Sequence, residues 1–217
     1  MAFPGAIDPE RRDDDDSDLD VIGVAASAGG LRALSTLFAP LPPDLPAPIV
    51  VVQHLDPRHP SLLAGILGRA TRLLVKEAQE GEGLRPGVVF LAPPDRHLLV
   101  NANATLTLTR TELVHFVRPS ADLLFESLAA SFKQRTLAIV LTGTGSDGAM
   151  GLRAIKRMGG STIAQDEATS EFFGMPDAAI RAGFVDQVLP LDRICTAVVA
   201  WTRRGSPLER DSGEPRS

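Results

Sequence analysis

Short apolar runs alternate with segments of helical spacing along most of this sequence, and this alternation limits the fold more than any other feature. The apolar runs are four to seven residues long, at 20–25, 49–53, 88–91, 136–142 and 161–164. Helical segments follow most of them, at 30–38, 61–69, 121–132 and 149–158. Because this pattern is typical of a mostly parallel sheet covered by helices, we predict an α/β fold.

Residues 98–108 follow a different pattern, in which apolar and polar residues alternate on either side of Asn101 and Asn103. This alternation predicts a small β-hairpin attached to the main sheet. In open parallel sheets, sites form where strands end and helices begin. We therefore expect the functional residues at the strand-to-helix junctions.

The charge of the chain is concentrated at its ends. Residues 1–20 hold eight acids and two bases, whereas residues 21–202 hold sixteen of each. A block of like charges predicts disorder, so we expect an acidic disordered tail at 1–19, one domain at 20–195 and a disordered tail at 203–217. A neutral domain argues against a nucleic-acid partner.

No stretch of the sequence approaches the ~18 apolar residues of a membrane span, and the first residues lack the pattern of a signal peptide. We therefore predict a cytoplasmic location without membrane insertion. The single Cys195 cannot form a disulfide within its own chain.

Two polar residues follow the first two apolar runs. Ser27 precedes Gly29 and Gly30 at a strand-to-helix turn, where a hydroxyl is presented above the sheet edge, although it could also simply cap the following helix. His54 follows a β-branched run and Gln53, at a strand end where an imidazole can act as a general base towards a neighbouring hydroxyl. Alone, each residue is more typical of a structural role.

A third junction, at 141–148, is rich in glycine and contains Asp147, whose carboxylate can orient a histidine. The same stretch also satisfies the dinucleotide-binding pattern, with Gly143, Gly145 and Gly148 before a helix. Against that interpretation, the pattern lies too late in the chain for a complete dinucleotide fold. A serine, a histidine and an aspartate at three strand ends indicate acyl transfer.

Five stretches in order resemble the catalytic domain of the chemotaxis protein-glutamate methylesterases, the CheB family. They are residues 26–30, 52–54, 118–122, 141–148 and 166–176. The resemblance extends from about residue 20 to about residue 191 and implies a doubly wound sheet, with helices on both faces and the hairpin near the active site. It favours hydrolysis over dinucleotide binding.

The resemblance implies a triad of Ser27 as nucleophile, His54 as base and Asp147 as the carboxylate that orients His54. The implied substrate is a glutamate γ-methyl ester on the helical bundle of a chemoreceptor, with deamidation of glutamine as a second activity. Backbone N–H groups of Ala28 and near Thr144 would bind the oxyanion. At these two positions many relatives have Thr and Met instead.

Other residues receive weaker predictions. His97 is a candidate for the cleft, with an exposed loop position as its alternative; Arg58, Arg118 and Met175 are candidate substrate contacts, although packing roles also suit Arg118 and Met175. His59 and His115 lack partners at metal-ligand spacing, so we predict no metal and no cofactor.

Regulation and partners are predicted from the family resemblance. Well-known members carry an N-terminal receiver domain, but only about twenty residues precede the first predicted strand, so we do not expect control by a receiver. The alternative to an enzyme is a noncatalytic binding module in a signalling complex with a CheR-type methyltransferase.

Overall fold

A computed structural model of the chain describes residues 19–54, 61–114 and 117–204. The strands in these ranges are β1 (Val21–Ala26), β2 (Ile49–Gln53), β3 (Leu74–Glu77), β4 (Val88–Leu91), β5 (His97–Val100), β6 (Leu106–Thr109), β7 (Thr136–Val140), β8 (Ser161–Gln165) and β9 (Gln187–Leu189). The α-helices are α1 (Gly30–Phe38), α2 (Leu63–Ala70), α3 (Ala121–Phe132), α4 (Ala149–Arg157), α5 (Gly174–Arg181) and α6 (Leu191–Arg204). The predicted N-terminal tail lies outside the described residues, apart from Leu19.

Seven strands form one sheet in the order β3-β4-β2-β1-β7-β8-β9, and neighbouring strands are parallel. The central strands are buried on both faces because successive side chains point to opposite sides. In β1, Val21 and Ala25 enter one apolar cluster, whereas Ile22 and Val24 enter the other. A strand in this position is therefore continuously apolar rather than alternating.

The helices divide between the two faces. Residues of α3, α4 and α5 join the first cluster with the β5–β6 hairpin, and residues of α1, α2 and α6 join the second. This arrangement confirms the predicted α/β fold with helices on both faces of a mostly parallel sheet. None of the described helices is both long enough and apolar enough to cross a membrane.

The hairpin differs from the prediction in its attachment. β5 and β6 pair antiparallel as a separate two-stranded sheet rather than joining the main one. Their support comes from α3: the hydroxyl of Ser127 accepts from the Val100 N–H at 3.0 Å, and Ser131 donates to the Val100 carbonyl at 2.9 Å. These serines occupy the hydrogen-bonding groups that a neighbouring strand would otherwise use.

Among the described strands and α-helices, four have no predicted counterpart. β3 and β9 are short edge strands with exposed or half-exposed side chains, so they lack a continuous apolar run. No helix is predicted at 174–181, where α5 begins with Gly174 and carries Pro176 in its first turn, a place where a proline is tolerated. α6 extends through Arg204, so the predicted domain end at 195 and tail start at 203 both fall within this helix.

Candidate active site

The candidate residues meet where the chain order reverses in the sheet. β1 has β2 on one side and β7 on the other, which places a crevice at the carboxyl ends of these strands. Ser27 follows β1 and His54 follows β2, while Asp147 lies in the loop between β7 and α4. Backbone hydrogen bonds extend the ladders up to the site, from the Ser27 N–H to the Thr142 carbonyl (3.0 Å) and from the His54 N–H to the Ala26 carbonyl (3.1 Å).

Ser27 stands in a tight turn between β1 and α1. Its carbonyl accepts from the Gly30 N–H at 2.8 Å, and Gly29 takes a left-handed conformation with φ of 77°. The N-cap position belongs to Gly29, which has no side-chain cap. The alternative in which the Ser27 hydroxyl serves as the cap of α1 is therefore wrong.

His54 and Asp147 are in direct contact. The imidazole Nε2 of His54 donates to Oδ2 of Asp147 at 2.9 Å. The histidine side chain retains 15% of its exposure, whereas the aspartate side chain retains 5%. The carboxylate therefore orients the ring from the protein interior and leaves the ring accessible from the cleft.

Asp147 receives three further hydrogen bonds from the start of α3. The backbone N–H groups of Ala121 (2.6 Å) and Asp122 (3.1 Å) donate to the carboxylate, as does the hydroxyl of Ser120 (3.0 Å). Burial raises the pKa of the carboxyl, but the hydrogen bonds from His54, Ala121 and Asp122 outweigh it, so the pKa of Asp147 lies below its ordinary value. The group is ionised wherever the protein is folded near neutral pH.

His97 lies behind this carboxylate rather than in the cleft. Its side chain is fully buried, Nδ1 accepts from the Ser120 N–H at 3.1 Å, and Nε2 donates to the Glu112 carbonyl at 3.0 Å. Both predicted positions for His97, lining the cleft or exposed in a loop, are therefore wrong. Its ring fixes the backbone of Ser120, whose hydroxyl reaches Asp147.

The two candidate oxyanion positions lie in the turns that follow β1 and β7. Ala28 follows Ser27, and Thr144 is exposed in the turn after β7. Across the described ranges, no backbone hydrogen bond uses the N–H of Ala28 or of Thr144, whereas the Gly143 N–H is engaged by the Phe172 carbonyl at 2.8 Å. The free N–H groups suit an oxyanion, and their positions remain a prediction.

Met175 supports the site by packing. Its side chain is fully buried, and its N–H donates to the Gly143 carbonyl at 2.9 Å. A Cβ at Gly143 would lie 2.3 Å from the Met175 sulfur and 2.9 Å from the Ser27 Cβ, so only glycine allows these chains to approach. A buried side chain offers no surface to a substrate, so the predicted contact through Met175 does not fit the structure.

Arg118 is likewise occupied within the protein. Its guanidinium donates to Asp95 Oδ1 from Nε (2.9 Å) and Nη2, and to the Thr111 carbonyl from Nη1 (2.6 Å). With these groups engaged, Arg118 has a structural role in place of the predicted substrate contact. Arg58, the remaining candidate contact, lies outside the described residues, as do His59 and His115.

A protein carboxylate occupies the amino end of α4, the helix that follows the glycine-rich loop. The carboxylate of Asp122 accepts from the Gly151 N–H at 2.7 Å in the first turn of α4, where a dinucleotide pyrophosphate would bind. A Cβ at Gly151 would also meet Phe125 at 2.7 Å, which accounts for this glycine by packing. The described residues contain no cluster of three or more His, Cys, Asp or Glu side chains arranged for a metal.

Two contributors to the site were not predicted as such. Ser120 lies in the stretch 118–122, from which no contact with Asp147 is predicted. Its side chain accepts from the Leu123 N–H at 3.5 Å as the N-cap of α3 and also contacts Asp147. Gln53 lies in the stretch 52–54 without a predicted role, and its amide donates to the carbonyls of both Ser27 and His54. A glutamine that ends a buried apolar strand was the available signal.

A doubly wound α/β domain with a serine, a histidine and an aspartate at its switch point has the architecture of a serine hydrolase. The family is also clear. The chain belongs to the CheB methylesterase family, whose family model matches residues 22–198.

Individual relatives agree with this assignment. The chain is 47% identical over 185 residues to a protein of Anaeromyxobacter dehalogenans named protein-glutamate methylesterase/protein-glutamine glutaminase 2, a match covering 85% of this chain and 54% of that protein. A Pyrococcus horikoshii protein, named protein-glutamate methylesterase/protein-glutamine glutaminase, is 44% identical over 181 residues, covering 82% and 49%. The chain thus spans about half the length of these curated relatives.

A solved structure matches the fold as well. The crystal structure of the Thermotoga maritima CheB methylesterase catalytic domain superposes with a TM-score of 0.81 at 38% sequence identity. The match covers 84% of this chain and 98% of that domain. The chain therefore matches nearly all of a known catalytic domain.

Proposed function

We propose that this protein is a serine hydrolase that removes γ-methyl esters from glutamate side chains of chemoreceptors. The contact between His54 Nε2 and Asp147 Oδ2, 2.9 Å long and next to the Ser27 turn, is the observation that carries the proposal. It links a buried carboxylate to an imidazole at the sheet edge from which Ser27 projects. The names of the relatives indicate the ester substrate and a second activity, deamidation of glutamine.

The hydrogen bond to Asp147 defines the role of each ring nitrogen of His54. Since Nε2–H donates to the carboxylate, Nδ1 is the nitrogen left to take the Ser27 proton. This usage is opposite to that of chymotrypsin-type proteases, in which the aspartate binds Nδ1. The ionised Asp147 then stabilises the imidazolium that forms.

The proposed reaction has two steps. Ser27 Oγ attacks the ester carbonyl as His54 takes its proton, and the N–H groups of Ala28 and Thr144 bind the oxyanion. The intermediate breaks its bond to the methoxy oxygen, which leaves as methanol with the proton from His54. Water, deprotonated by His54, then attacks the acyl-serine, and His54 returns the proton to Ser27 Oγ as the acyl bond breaks. The released glutamic acid loses its proton to solvent and leaves as the carboxylate.

The proposed substrate is a protein helix in the cytoplasm, where the methylated bundle of a chemoreceptor would meet this cleft. Arg69, Arg72 and Arg96 are exposed and could meet acidic residues on such a bundle. The cytoplasmic location belongs to this proposal, as does a methyltransferase that forms the esters.

The direct test is methanol release from methylated receptor by the wild-type chain and by Ser27→Ala. We expect the variant to lose all measurable release while its melting temperature stays close to wild type, because it removes only the nucleophile. Ser161→Ala is the matched control, since Ser161 lies at the amino end of β8, on the opposite edge of the sheet. Methanol release by Ser27→Ala would refute the assignment of the nucleophile.

A fluorophosphonate probe separates the enzyme from the noncatalytic binding module. The probe reacts with activated serines, so we expect it to label Ser27 in the folded protein and not in Ser27→Ala. Failure to label the wild-type chain would favour the binding module.

A further inference from the structure

Gln53 connects the residues that follow β1 and β2, Ser27 and His54. It is the last residue of β2, is only 6% exposed, and lines with Ser27 a cavity between α1 and α2. None of the proposed reaction steps uses it. The reason for a buried glutamine at this position has to lie in its contacts.

Both hydrogens of the Gln53 amide have a partner. Nε2 donates to the carbonyl of Ser27 at 2.8 Å and to the carbonyl of His54 at 3.0 Å. Since both acceptors are backbone oxygens, only the NH₂ group can occupy this position, and the orientation of the amide is fixed. One nitrogen therefore joins the peptide groups of two proposed catalytic residues.

This bridge begins where the sheet ladder ends. The register of β1 and β2 pairs Ala26 with Gln53, and the last backbone bond between the strands runs from the His54 N–H to the Ala26 carbonyl at 3.1 Å. Ser27 and His54 lie beyond the paired residues. The amide of Gln53 continues the connection by one residue, up to the reacting groups.

The position of the Gln53 side chain leaves one of its polar atoms unsatisfied. Oε1 of Gln53 is buried and has no hydrogen-bond partner among the described residues. A Cβ at Gly30 would lie 2.0 Å from this oxygen, so the first residue of α1 must be glycine to accommodate the side chain. Buried polar atoms without partners are rare. The amide stays in this position because Nε2 binds the carbonyls of Ser27 and His54.

We propose that Gln53 is a positioning residue that holds the Ser27 turn and His54 at reacting distance. The proposal rests on the proposed function, because it assumes that Ser27 and His54 react together. Gln53 itself touches no reacting atom and acts through the two carbonyls. Since a displacement of about 1 Å can cost a reaction 10²-fold, the effect belongs in kcat rather than in substrate binding.

The experiment compares Gln53→Met and Gln53→Glu with the wild-type chain. Methionine keeps the length of the side chain but has no donor, so we expect kcat for methanol release and the rate of fluorophosphonate labelling to fall by roughly 10- to 100-fold. KM for methylated receptor should stay within about twofold. Thr162→Val is the matched control, because it also removes a buried side-chain hydrogen bond to a carbonyl (Phe184, 2.7 Å), together with the contacts of that hydroxyl with Asp186. Thr162 lies in β8, two strands away from β1.

Gln53→Glu provides a second measurement, the pH dependence of kcat, which a general loss of packing would leave unchanged. Its ionised carboxylate would face two carbonyl oxygens, whereas the protonated acid can donate to one of them. Burial raises the pKa of such a group, so the ratio of kcat of the variant to that of wild type should rise as the pH falls from about 8 to about 6.

Two results would overturn the proposal for Gln53: kcat and labelling of Gln53→Met equal to those of Thr162→Val, or a Gln53→Glu ratio that does not change with pH. Methanol release by the wild-type chain tests the proposed function separately. Labelling needs no receptor, so a wrong substrate and a wrong role for Gln53 give different results.

Discussion

Two aspartates, Asp147 and Asp95, are both held in the ionised form, by opposite means. Asp147 is nearly buried and is bound by His54 and by neutral donors at the start of α3. Asp95 retains 30% of its side-chain exposure and is paired with Arg118 and Arg110. Hydrogen bonding from Arg118 is the largest cause that lowers the pKa of Asp95, and it outweighs burial.

One short segment serves both aspartates. Arg118 binds Asp95, while Ser120, Ala121 and Asp122 bind Asp147. Arg118 and Arg110 neutralise the charge of Asp95. That carboxylate therefore anchors the chain and exerts little electrostatic attraction on any further group. Neutral donors stabilise the charge of Asp147 without cancelling it, so it can still attract the proton that His54 takes up.

The largest effect on this contrast is expected from Asp147→Asn. The partners of the carboxylate are His54, Ala121, Asp122 and Ser120, each of which donates, so an amide NH₂ in place of either oxygen faces at least one N–H. We expect kcat to fall by roughly 10⁴-fold, as for the corresponding change in a serine protease. Methanol release with wild-type and variant protein measures it, and thermal unfolding checks that the variant is folded.

A loss of only a few fold in Asp147→Asn would contradict the comparison. It would mean that His54 is oriented without the carboxylate and that the charge of Asp147 does not assist the proton transfer.

A smaller effect is expected from Ser120→Ala. This change removes one of the hydrogen bonds to Asp147 (3.0 Å) while keeping its charge, so we expect kcat to fall by about tenfold, equivalent to about 1.4 kcal/mol. Ser131→Ala is the matched control, because Ser131 lies on α3 and its hydroxyl bonds the hairpin carbonyl of Val100, with no bond to Asp147 among the described residues. The control should lose stability without a comparable loss of kcat.

The same variant should change the response of Asp147 to acid. In the wild-type protein the pKa of Asp147 is lowered, so its ionisation contributes stability that is present above the pKa of an unfolded aspartate and is lost as the pH falls through the folded pKa. Losing the hydrogen bond from Ser120 should raise the pKa of Asp147 in the folded protein, because a hydrogen bond to the carboxylate favours its charged form. The pH range over which this stability is lost then ends at a higher pH. Carboxyl NMR titration should show the upward shift in Ser120→Ala, and an unchanged pKa would refute the role of this hydroxyl.

The sequence predicted the interior of the fold better than its edges. β2 and β4 have the predicted bounds because strands buried on both faces are continuously apolar. β3 has half-exposed charged residues, Lys76 and Glu77, and β9 is only three residues long, so neither shows such a run. Pairing at a sheet edge depends on the neighbouring strand, which the local sequence does not contain.

In the candidate site, too, some residues follow from the local sequence and others do not. Ser27, His54 and Asp147 were predicted because each follows an apolar strand, and parallel strands bring their carboxyl ends together. His97 was misplaced because its environment is created by packing between the hairpin, α3 and the segment before α3. A buried histidine between two backbone groups leaves no pattern in the sequence.

The smallest effect is expected from Asp95→Asn, which tests the other half of the comparison. Arg118 would keep its bond to the Thr111 carbonyl, and the lost ion pairs are partly exposed, so we expect kcat/KM within about twofold of wild type. Any loss of stability should shrink as salt is added, because exposed pairs are screened. Asp177→Asn is the matched control, since Asp177 forms a similarly exposed pair with Arg181 on α5 at 2.9 Å.

A loss in Asp95→Asn close to that of Asp147→Asn would remove the distinction between the two carboxylates. Because Arg118 and Ser120 belong to one segment, such a loss would mean that Asp95 sets the position of the donors around Asp147. In that case Arg118→Lys, which keeps the charge but not the forked geometry, should show the same loss of kcat. If kcat falls in neither variant, the contact of Arg118 with Asp95 does not influence the contact of Ser120 with Asp147. The two contacts would then be independent although only one residue separates Arg118 from Ser120.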